Sequence, residues 1–195
     1  YQKMSLTLID KFCKDLKKIN YQGSVVLCGY GEPMLHKDIY EISRRLAKVS
    51  FVEIVTNGDT LTKEVIRNLY NSNVNKLLIS LYDGPGQIKK FKKITKESKV
   101  PSDFVILRDR WYDEKKDYGL KLTNRTGTIN IGKQEDVSTY TYCYYPSYSM
   151  LMDWNGDIFL CSQDWQRRRT MGNIMQEELF DIWTGKMTEK YRKDL

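Results

Sequence analysis

The sequence predicts an α/β fold with a parallel sheet, followed by a small module built from a hairpin and a helix. Apolar runs typical of strands begin near residues 24, 51, 76 and 103, and amphipathic stretches typical of helices lie between them. This spacing of about 25 residues fits one strand, one crossover helix and two loops. Such units have right-handed crossovers and parallel strands, but the spacing alone does not distinguish a barrel from an open, doubly wound sheet.

Length and composition favour a folded protein with one domain and a smaller appendage. The chain has 195 residues, 41% of them hydrophobic, and a formal net charge of +7, which together indicate a globular chain with enough material for a core. No apolar run approaches the ~18 residues of a membrane span, so we expect no membrane partner. Four dispersed cysteines are too few for a disulfide scaffold and favour the cytoplasm. Because the chain starts with Tyr1 and stops inside a charged helical stretch, we expect it to be part of a longer protein.

The first part of the chain contains the four predicted strands and their helices. Apolar residues at helical spacing predict a helix over residues 6–19, before the first strand. The run from Ser24 to Cys28 is continuous, which is typical of a strand buried on both faces. Asp38 and Glu41 resemble a capping box at the start of the next helix, and Thr62 is a candidate cap for the third. The strands are expected at residues 24–28, 51–56, 76–81 and 104–107.

The second part begins where the chain becomes polar. Residues 109–142 contain several turn signals, so we expect a linker and irregular structure there. Beyond it, Asn155-Gly156 lies between two apolar runs, which predicts a hairpin with a two-residue type I′ turn that pairs Trp154 with Asp157. An amphipathic helix around Leu179 closes the chain. The predicted domains are residues 1–120, a linker at 121–142 and a module at 143–195.

Polar groups follow all four predicted strands, at the edge where parallel α/β folds bind ligands. Gly29-Tyr30-Gly31-Glu32-Pro33 follows the first strand; its glycines let a ligand approach the backbone, and Glu32 offers a carboxylate to a cation. Thr56-Asn57-Gly58 follows the second strand, Ser80 lies at the end of the third, and Arg108 ends the fourth. Together these groups could hold a small zwitterion with a ribose, although each motif by itself is also an ordinary turn.

These motifs, in this order, resemble the radical S-adenosylmethionine (AdoMet) superfamily. The matching segments are Gly29 to His36, Thr56-Asn57-Gly58, and Ile79 to Gly84. The segment from Cys143 to Trp183 resembles the SPASM extension of the same superfamily, through Cys143-x-x-Pro146, Asp153 to Asp157, Cys161-x-x-Asp164, Gly172-Asn173-Ile174 and Leu179-x-x-Ile182-Trp183. The resemblance implies a partial (βα)6-like barrel of the TIM type, incomplete at its N-terminus, with a SPASM-like hairpin and helix module after it.

The resemblance also implies an AdoMet pocket made from the strand ends. It directs the backbone after the first strand and the Glu32 carboxylate toward the methionyl amino group, and it sets Arg108 near the carboxylate. The residues it assigns to AdoMet are Gly29, Tyr30, Gly31, Glu32, Pro33, Thr56, Asn57, Ser80 and Arg108. In such enzymes a reduced 4Fe-4S cluster cleaves AdoMet to a 5′-deoxyadenosyl radical, which abstracts a hydrogen atom from the substrate.

The cysteines depart from the family pattern. The Cys-x3-Cys-x2-Cys loop that holds the catalytic 4Fe-4S cluster is absent from the sequence, and the resemblance implies that this loop lies upstream of Tyr1. We therefore expect the chain alone to be inactive. SPASM domains bind auxiliary clusters through several cysteines, and here only Cys143 and Cys161 are candidate ligands for an auxiliary 4Fe-4S cluster. Cys13 and Cys28 are predicted to be buried packing residues.

The resulting hypothesis is a radical SAM/SPASM enzyme that modifies a peptide, a protein or a small molecule. In its full-length form the resemblance implies an oxidoreductase-like enzyme served by an electron donor such as flavodoxin or ferredoxin. Two alternatives stay open: a basic α/β module that binds nucleic acid through the lysines of residues 89–99, and a catalytically inert relic of the fold. A lysine run is more typical of a solvated helix face, so nucleic acid is not the expected partner.

Overall fold

The structure is a computed structural model, and it describes residues 2–114, 117–122, 133–134 and 143–194. The helices are α1 (Leu6–Lys18), α2 (Ile39–Leu46), α3 (Lys63–Asn71), α4 (Gly86–Ser98), α5 (Leu179–Thr184) and α6 (Lys186–Lys193), and short 3-10 helices lie at Pro33–Leu35 and Tyr145–Ser147. The strands are β1 (Ser24–Leu27), β2 (Phe51–Thr56), β3 (Lys76–Leu81), β4 (Val105–Asp109), β5 (Trp111–Glu114), β6 (Asp117–Leu122), β7 (Lys133–Gln134), β8 (Leu151–Met152), β9 (Asp157–Phe159) and β10 (Thr170–Asn173). Within these ranges, no helix combines the length and the hydropathy needed to cross a lipid bilayer.

Strands β1 to β4 form one parallel sheet, and their order in space is their order in the chain. Right-handed crossovers that always step in the same direction place every connecting helix on the same side of a sheet. A doubly wound sheet reverses its direction of winding and has helices on both faces. The sequential order therefore confirms the predicted α/β fold of the partial-barrel type and excludes a doubly wound arrangement of these four strands.

One face of this sheet packs under the helices. The side chains of Ile54, Leu77 and Ile79 on this face are fully buried. A methyl group built on Gly58 would lie 2.5 Å from a ring atom of Phe91 in α4 and 3.0 Å from Cγ2 of Ile79. Gly58 also has a φ of +82°, in the left-handed region that favours glycine. The turn after β2 is therefore fixed both by its backbone conformation and by the packing of α4.

The other face of the sheet, here called the open face, is formed by the side chains that alternate with the buried ones. Strand register places Val26 beside Glu53 and Ser80 beside Arg108 on it. Val26 is 41% exposed and Ile106 is 43% exposed. The prediction that the first strand is buried on both faces is therefore wrong, because β1 lies at an edge of the sheet and no described residue buries Val26 on its open face. Cys28, predicted as a buried packing residue, is exposed.

Capping motifs predict the starts of α2 and α3, and the structure confirms the cap of α3. The side chain of Thr62 accepts a hydrogen bond from the backbone N–H of Val65 at 3.3 Å, as expected of a cap. The capping box at Asp38 is wrong, because Asp38 makes no side-chain cap hydrogen bond. Its backbone N–H donates to Nδ1 of His36 instead, at 3.1 Å, so the group that Glu41 would have to accept from is already bonded.

Residues 111–114 and 117–122 form two regular strands. Strands β5 and β6 pair antiparallel, with Trp111 opposite Leu120, and β7 completes a three-stranded sheet. The prediction of irregular structure is therefore wrong for this segment. The sequence of this segment alternates as in a strand, with apolar or aromatic residues at Tyr118, Leu120 and Leu122. A prediction from composition misses this alternation because many charged residues surround it. The rest of the predicted linker, residues 123–132 and 135–142, lies outside the described residues.

The hairpin of β8 and β9 has a different turn from the predicted one. Register places Met152 opposite Ile158, and the N–H of Asp153 donates to the carbonyl of Asp157 at 2.9 Å. The loop therefore has three residues, and only its last, Gly156, has a positive φ, of 92°. This loop belongs to the three-residue class, so the predicted type I′ turn is wrong. The predicted pairing of Trp154 with Asp157 is also wrong, because Asp157 lies opposite Asp153, one position earlier. Strand β10 pairs with the other side of β9.

The chain divides into two compact units: one contains the four-stranded sheet, and the other contains residues 2–21 together with 143–194. In the second unit α1 packs on α5. The buried Asp15 carboxylate accepts from Nζ of Lys11 at 2.6 and 2.7 Å and from the backbone N–H of Leu179 at 3.2 Å. These contacts group α1 with the C-terminal elements, although the sequence places it in the first domain. The exact domain boundaries stay a prediction.

Candidate functional site

The Glu32 carboxylate joins the loop after β1 to the end of β2. Its Oε1 accepts from Oγ1 of Thr56 at 2.7 Å and from the N–H of Met34 at 3.0 Å, and its Oε2 accepts from the N–H of Asn57 at 2.9 Å. Pro33 begins the 3-10 helix, so Glu32 is its N-cap and meets an amide that has no partner inside the helix. The structure thus brings together Glu32, Thr56 and Asn57, here called the Glu32 clamp.

The turn that carries Thr56 and Asn57 is held by its own hydrogen bonds. Oγ1 of Thr56 also accepts from the N–H of Gly58 at 3.1 Å, and Oδ1 of Asn57 accepts from the N–H of Asp59 at 3.0 Å. Thr56 is 2% exposed. The hydroxyl that orients the Glu32 carboxylate is therefore fixed on both sides, which pre-organises the clamp for a ligand.

The backbone beside the clamp is open. A methyl group built on Gly31 would meet no atom of the described residues within 4 Å, so protein packing does not require glycine at this position. Gly29 has a φ of +124°, which favours glycine and turns the chain at the end of β1. Tyr30 lies between the two glycines and is half-buried. This loop leaves space for a ligand directly beside a fixed carboxylate.

Ser80 and Arg108 form a second pair, on the open face and in register across β3 and β4. Nη2 of Arg108 lies 3.5 Å from Oγ of Ser80, which is long for a hydrogen bond. Nε of Arg108 is buried without a hydrogen-bond partner among the described residues. Burial lowers the pKa of the Arg108 guanidinium, and repulsion from Arg110 lowers it further. Arg108 is thus a desolvated cation with spare donors, and within the described ranges no hydrogen bond links it to the Glu32 clamp.

Arg110 is absent from the predicted site because it falls in residues 109–142, whose polar composition predicts irregular structure. Its N–H donates to the carbonyl of Leu81 at 2.9 Å, so the parallel ladder continues one residue beyond β4. Side chains two residues apart in an extended strand share a face, which places Arg110 beside Arg108. The spacing of the two arginines was the signal in the sequence that could have identified it.

Cys161 has the surroundings of a thiolate ligand. It follows β9 closely, and its Sγ accepts from the backbone N–H of Gln163 at 3.4 Å. Hydrogen bonds of this kind to sulfur stabilise negative charge and are among the factors that set the potentials of iron–sulfur clusters. Cys143 lies just before the 3-10 helix Tyr145–Ser147, and both cysteines are half-buried free thiols.

Arg192 holds the segment that carries Cys143 against the last two helices. Its Nε donates to the carbonyl of Pro146 at 2.8 Å, and its Nη1 donates to the carbonyl of Trp183 at 2.9 Å. The guanidinium carbon also lies 3.9 Å from the centre of the Trp183 ring, a cation–π contact. The Cys143-x-x-Pro146 segment is thereby anchored at its proline.

The two thiolates suit an iron–sulfur cluster chemically but do not complete a site. A 4Fe-4S cluster is held by four thiolates, and Cys143 and Cys161 supply half of that set. Across residues 2–114 and 143–194, no group of three or more Cys, His, Asp or Glu side chains comes together to hold a metal. No reaction step is therefore assigned to a cluster on these residues.

Two family models match the chain. The model of the radical SAM superfamily matches residues 1–106, which is more than half of the chain, and that of the SPASM iron-sulfur cluster-binding domain matches residues 143–195. Among curated proteins, the S-adenosyl-L-methionine-dependent 2-deoxy-scyllo-inosamine dehydrogenase of Niallia circulans is 24% identical over 196 residues, which cover 98% of this chain and 74% of that protein.

Solved structures share the fold. BtrN in complex with AdoMet and 2-DOIA superposes with a TM-score of 0.78 at 22% identity, over 98% of this chain and 74% of that one. The native form of anSMEcpe with bound AdoMet gives a TM-score of 0.62 at 16% identity, over 97% of this chain and 74% of that one. At these identities the likeness shows the fold alone. The family models confirm the predicted resemblance and its cofactors, AdoMet and iron–sulfur clusters. The chain belongs to the radical SAM superfamily of enzymes and carries a SPASM domain.

Proposed function

We propose that this chain binds AdoMet along the carboxyl edge of β1 to β4, and that the enzyme modifies its substrate by radical chemistry. The observation that supports this most directly is the Glu32 clamp beside Gly31, because a fixed carboxylate adjoins a backbone that packing leaves open. Together with a reduced 4Fe-4S cluster, AdoMet held at this edge would supply the radical chemistry that removes a hydrogen atom from the substrate.

The first half of the pocket would bind the methionyl ammonium of AdoMet. The backbone of Gly29 and Gly31 and the carboxylate of Glu32 face it. Glu32 accepts three hydrogen bonds within the protein, and a carboxylate has about four acceptor sites, so one is left for the ammonium. Thr56 and Asn57 orient this carboxylate. Tyr30 lines the loop, and Pro33 fixes its exit into the 3-10 helix.

The second half of the pocket would bind the ribose or the methionyl carboxylate of AdoMet. Ser80 is buried on the open face and offers a hydroxyl to either group. The free Nε of Arg108 and its Nη2 form a fork that suits a carboxylate. The Glu32 clamp would therefore bind the positively charged end of the AdoMet zwitterion. Ser80 and Arg108 would bind its negatively charged end.

The remaining parts of the proposal concern the module and the partners. Cys143 and Cys161 supply two ligands of an auxiliary 4Fe-4S cluster in a module at residues 143–195, joined to residues 1–120 by the linker. An electron donor such as flavodoxin or ferredoxin reduces the clusters. The substrate is a small molecule or a peptide: one relative is named for 2-deoxy-scyllo-inosamine, and one structure of anSMEcpe contains a peptide.

Binding of AdoMet to the purified chain, measured by saturation-transfer difference NMR, tests this proposal. Gly31→Ala should leave the fold intact because its methyl group meets no atom of the described residues within 4 Å, but it would obstruct the ligand. A misfit of this kind costs ~1–3 kcal/mol, which raises Kd by about five- to 150-fold. Glu32→Ala should also weaken binding, and Glu41→Ala on the exposed surface of α2 is the charge-matched control. If both site variants bind AdoMet as Glu41→Ala does, the proposed pocket is wrong.

A further inference from the structure

Helix α4 and the residue after it carry most of the net charge of the protein. Residues 86–99 contain six lysines and one glutamate, a balance of +5, whereas the whole chain has a net charge of +7. All six lysines are exposed. Four of them lie three, four or seven positions apart, which places them on one side of the helix. This set, here called the lysine face, consists of Lys89, Lys92, Lys93 and Lys96.

The opposite side of α4 packs against the elements that carry the candidate site. Phe91 and Ser98 are fully buried, and the carbonyl of Ser98 accepts from Nε of Arg67 in α3 at 3.0 Å. The ring of Phe91 is the one that a methyl group on Gly58 would meet at 2.5 Å. Gly58 belongs to the turn that also carries two residues of the Glu32 clamp. Helix α4 therefore supports the clamp from behind, with its lysine face turned outward.

The composition of α4 favours a folded acidic protein over nucleic acid or a membrane. The helix has no arginine, although the arginine fork is the group that suits phosphates best; a lysine ammonium is a hydrated point charge. Single-stranded nucleic acid stacks its bases on exposed aromatic rings, but the one ring of α4, that of Phe91, is fully buried. A membrane-surface helix inserts an apolar face into the lipid, and Ile88 and Ile94 are half-buried in the protein instead.

We propose that the lysine face of α4 docks the acidic surface of a small electron-carrier protein. The inference rests on the proposed function, in which each AdoMet that is cleaved consumes one electron, so the carrier is oxidised by one electron. Complexes of electron-transfer proteins are small and weak, and complementary charges bring the two partners together quickly. Exposed lysines suit such a contact because their charge attracts the partner without locking it in place. Docking on α4 would bring the carrier to the helix that supports the AdoMet clamp.

The test measures binding of a bacterial holo-flavodoxin to the purified chain by surface plasmon resonance. We expect binding at low ionic strength that weakens by about fivefold or more when the salt is raised to about 0.15 M. The triple variant Lys89→Glu, Lys92→Glu, Lys96→Glu should raise Kd by about tenfold or more, because three attractive contacts become repulsive. The matched control is Lys14→Glu, Lys17→Glu, Lys48→Glu, which reverses three exposed lysines outside α4. This control changes the net charge equally and should raise Kd by less than about threefold.

Three results would overturn the proposal. One is that flavodoxin does not bind at low ionic strength. Another is that the control variant loses as much affinity as the α4 variant, which would reduce the effect to net charge. The third is that a single-stranded DNA oligonucleotide or phosphatidylserine vesicles bind more tightly than flavodoxin through the same lysines.

Binding of AdoMet, measured on the same variants, separates this proposal from the proposed pocket. The α4 variant should bind AdoMet within about twofold of the wild-type chain, because its substitutions lie on the outward side of the helix. If the wild-type chain does not bind AdoMet but flavodoxin still depends on the lysine face, the pocket fails and the docking surface stands. The corresponding variant with three glutamines carries the test if the variant with three glutamates does not fold.

Discussion

Replacing Glu32 with alanine measures how far the Glu32 clamp stabilises the carboxyl edge of the sheet. The change removes the acceptor of three hydrogen bonds. Thr56 is 2% exposed, and a buried donor left without its acceptor costs about 1–3 kcal/mol. The amides of Met34 and Asn57 belong to half-buried residues, so water replaces the carboxylate and each loss costs about 0.5–1 kcal/mol. We expect the free energy of unfolding to fall by about 2–5 kcal/mol.

Urea unfolding followed by circular dichroism gives the total loss, and hydrogen exchange measured by mass spectrometry gives its location. Amide protection should fall at Met34 and at residues 56–58, where the hydrogen bonds of the clamp are lost. The control is Glu41→Ala, which removes two surface ion pairs to Arg44 and Arg45 and should lower the free energy of unfolding much less than Glu32→Ala does. The reasoning is refuted if Glu32→Ala costs no more than Glu41→Ala and leaves the protection of Asn57 unchanged.

Three further changes test the packing and the charges. Gly58→Ala combines a φ of +82° with a methyl group 2.5 Å from an aromatic ring of α4, and we expect a loss of about 3 kcal/mol in urea unfolding; a wild-type midpoint would contradict this. Asp15→Ala removes the acceptor for the Leu179 amide at the start of α5, and should cost about 2–4 kcal/mol and lower hydrogen-exchange protection there; unchanged protection would show that the contact is dispensable. The hydrogen bond from Lys76 lowers the pKa of Asp103 in the folded state. The Lys76–Asp103 contact therefore stabilises the fold above the unfolded pKa of about 4, and this stabilisation is lost as pH falls through the lower folded pKa. Lys76→Gln should therefore reduce the loss of stability in acid, as measured by unfolding midpoints from about pH 6 to pH 3.

The four strands could be predicted because burial acts on them one side chain at a time. Residues such as Ile54, Leu77 and Ile79 are apolar because they face the helices and are buried. An apolar residue at each buried position is visible in the sequence itself. The spacing of the strands could not show whether the sheet winds in one direction or in two. That distinction depends on which strands become neighbours, and the sequential pairing in the structure decides it.

The errors lie where tertiary context decides the structure. The apolar run of β1 looks like a central strand, but Val26 is exposed because β1 lies at an edge of the sheet. The β8–β9 hairpin differs from the prediction by one residue, and its loop is held by a neighbouring segment: Nδ2 of Asn173 donates to the carbonyl of Asn155 at 3.2 Å and to Oδ1 of Asp157 at 2.8 Å. Both errors come from applying a local pattern where neighbouring chain segments determine the outcome.

The sequence predicts the polar residues of the candidate site at the strand ends. It does not show that Arg108 and Arg110 lie side by side. Glu32, Thr56 and Asn57 meet because the carboxyl ends of adjacent parallel strands share one edge of the sheet. Arg110 was missed because it follows the last residue of β4 in a stretch of polar composition. Recognising that two cations share one face requires the register of β4, which the sequence does not contain explicitly.

The contact between α1 and α5 has a consequence for how the protein is made. Asp15 and the Leu179 amide that it accepts from are 164 residues apart. At roughly 5–20 residues per second, a ribosome needs about ten to thirty seconds to travel between them. During that time the four-stranded sheet is synthesised completely, whereas α1 has emerged with its apolar face uncovered. Helix α1 is thus synthesised well before the segment that covers it, and it must wait for that segment before it can pack.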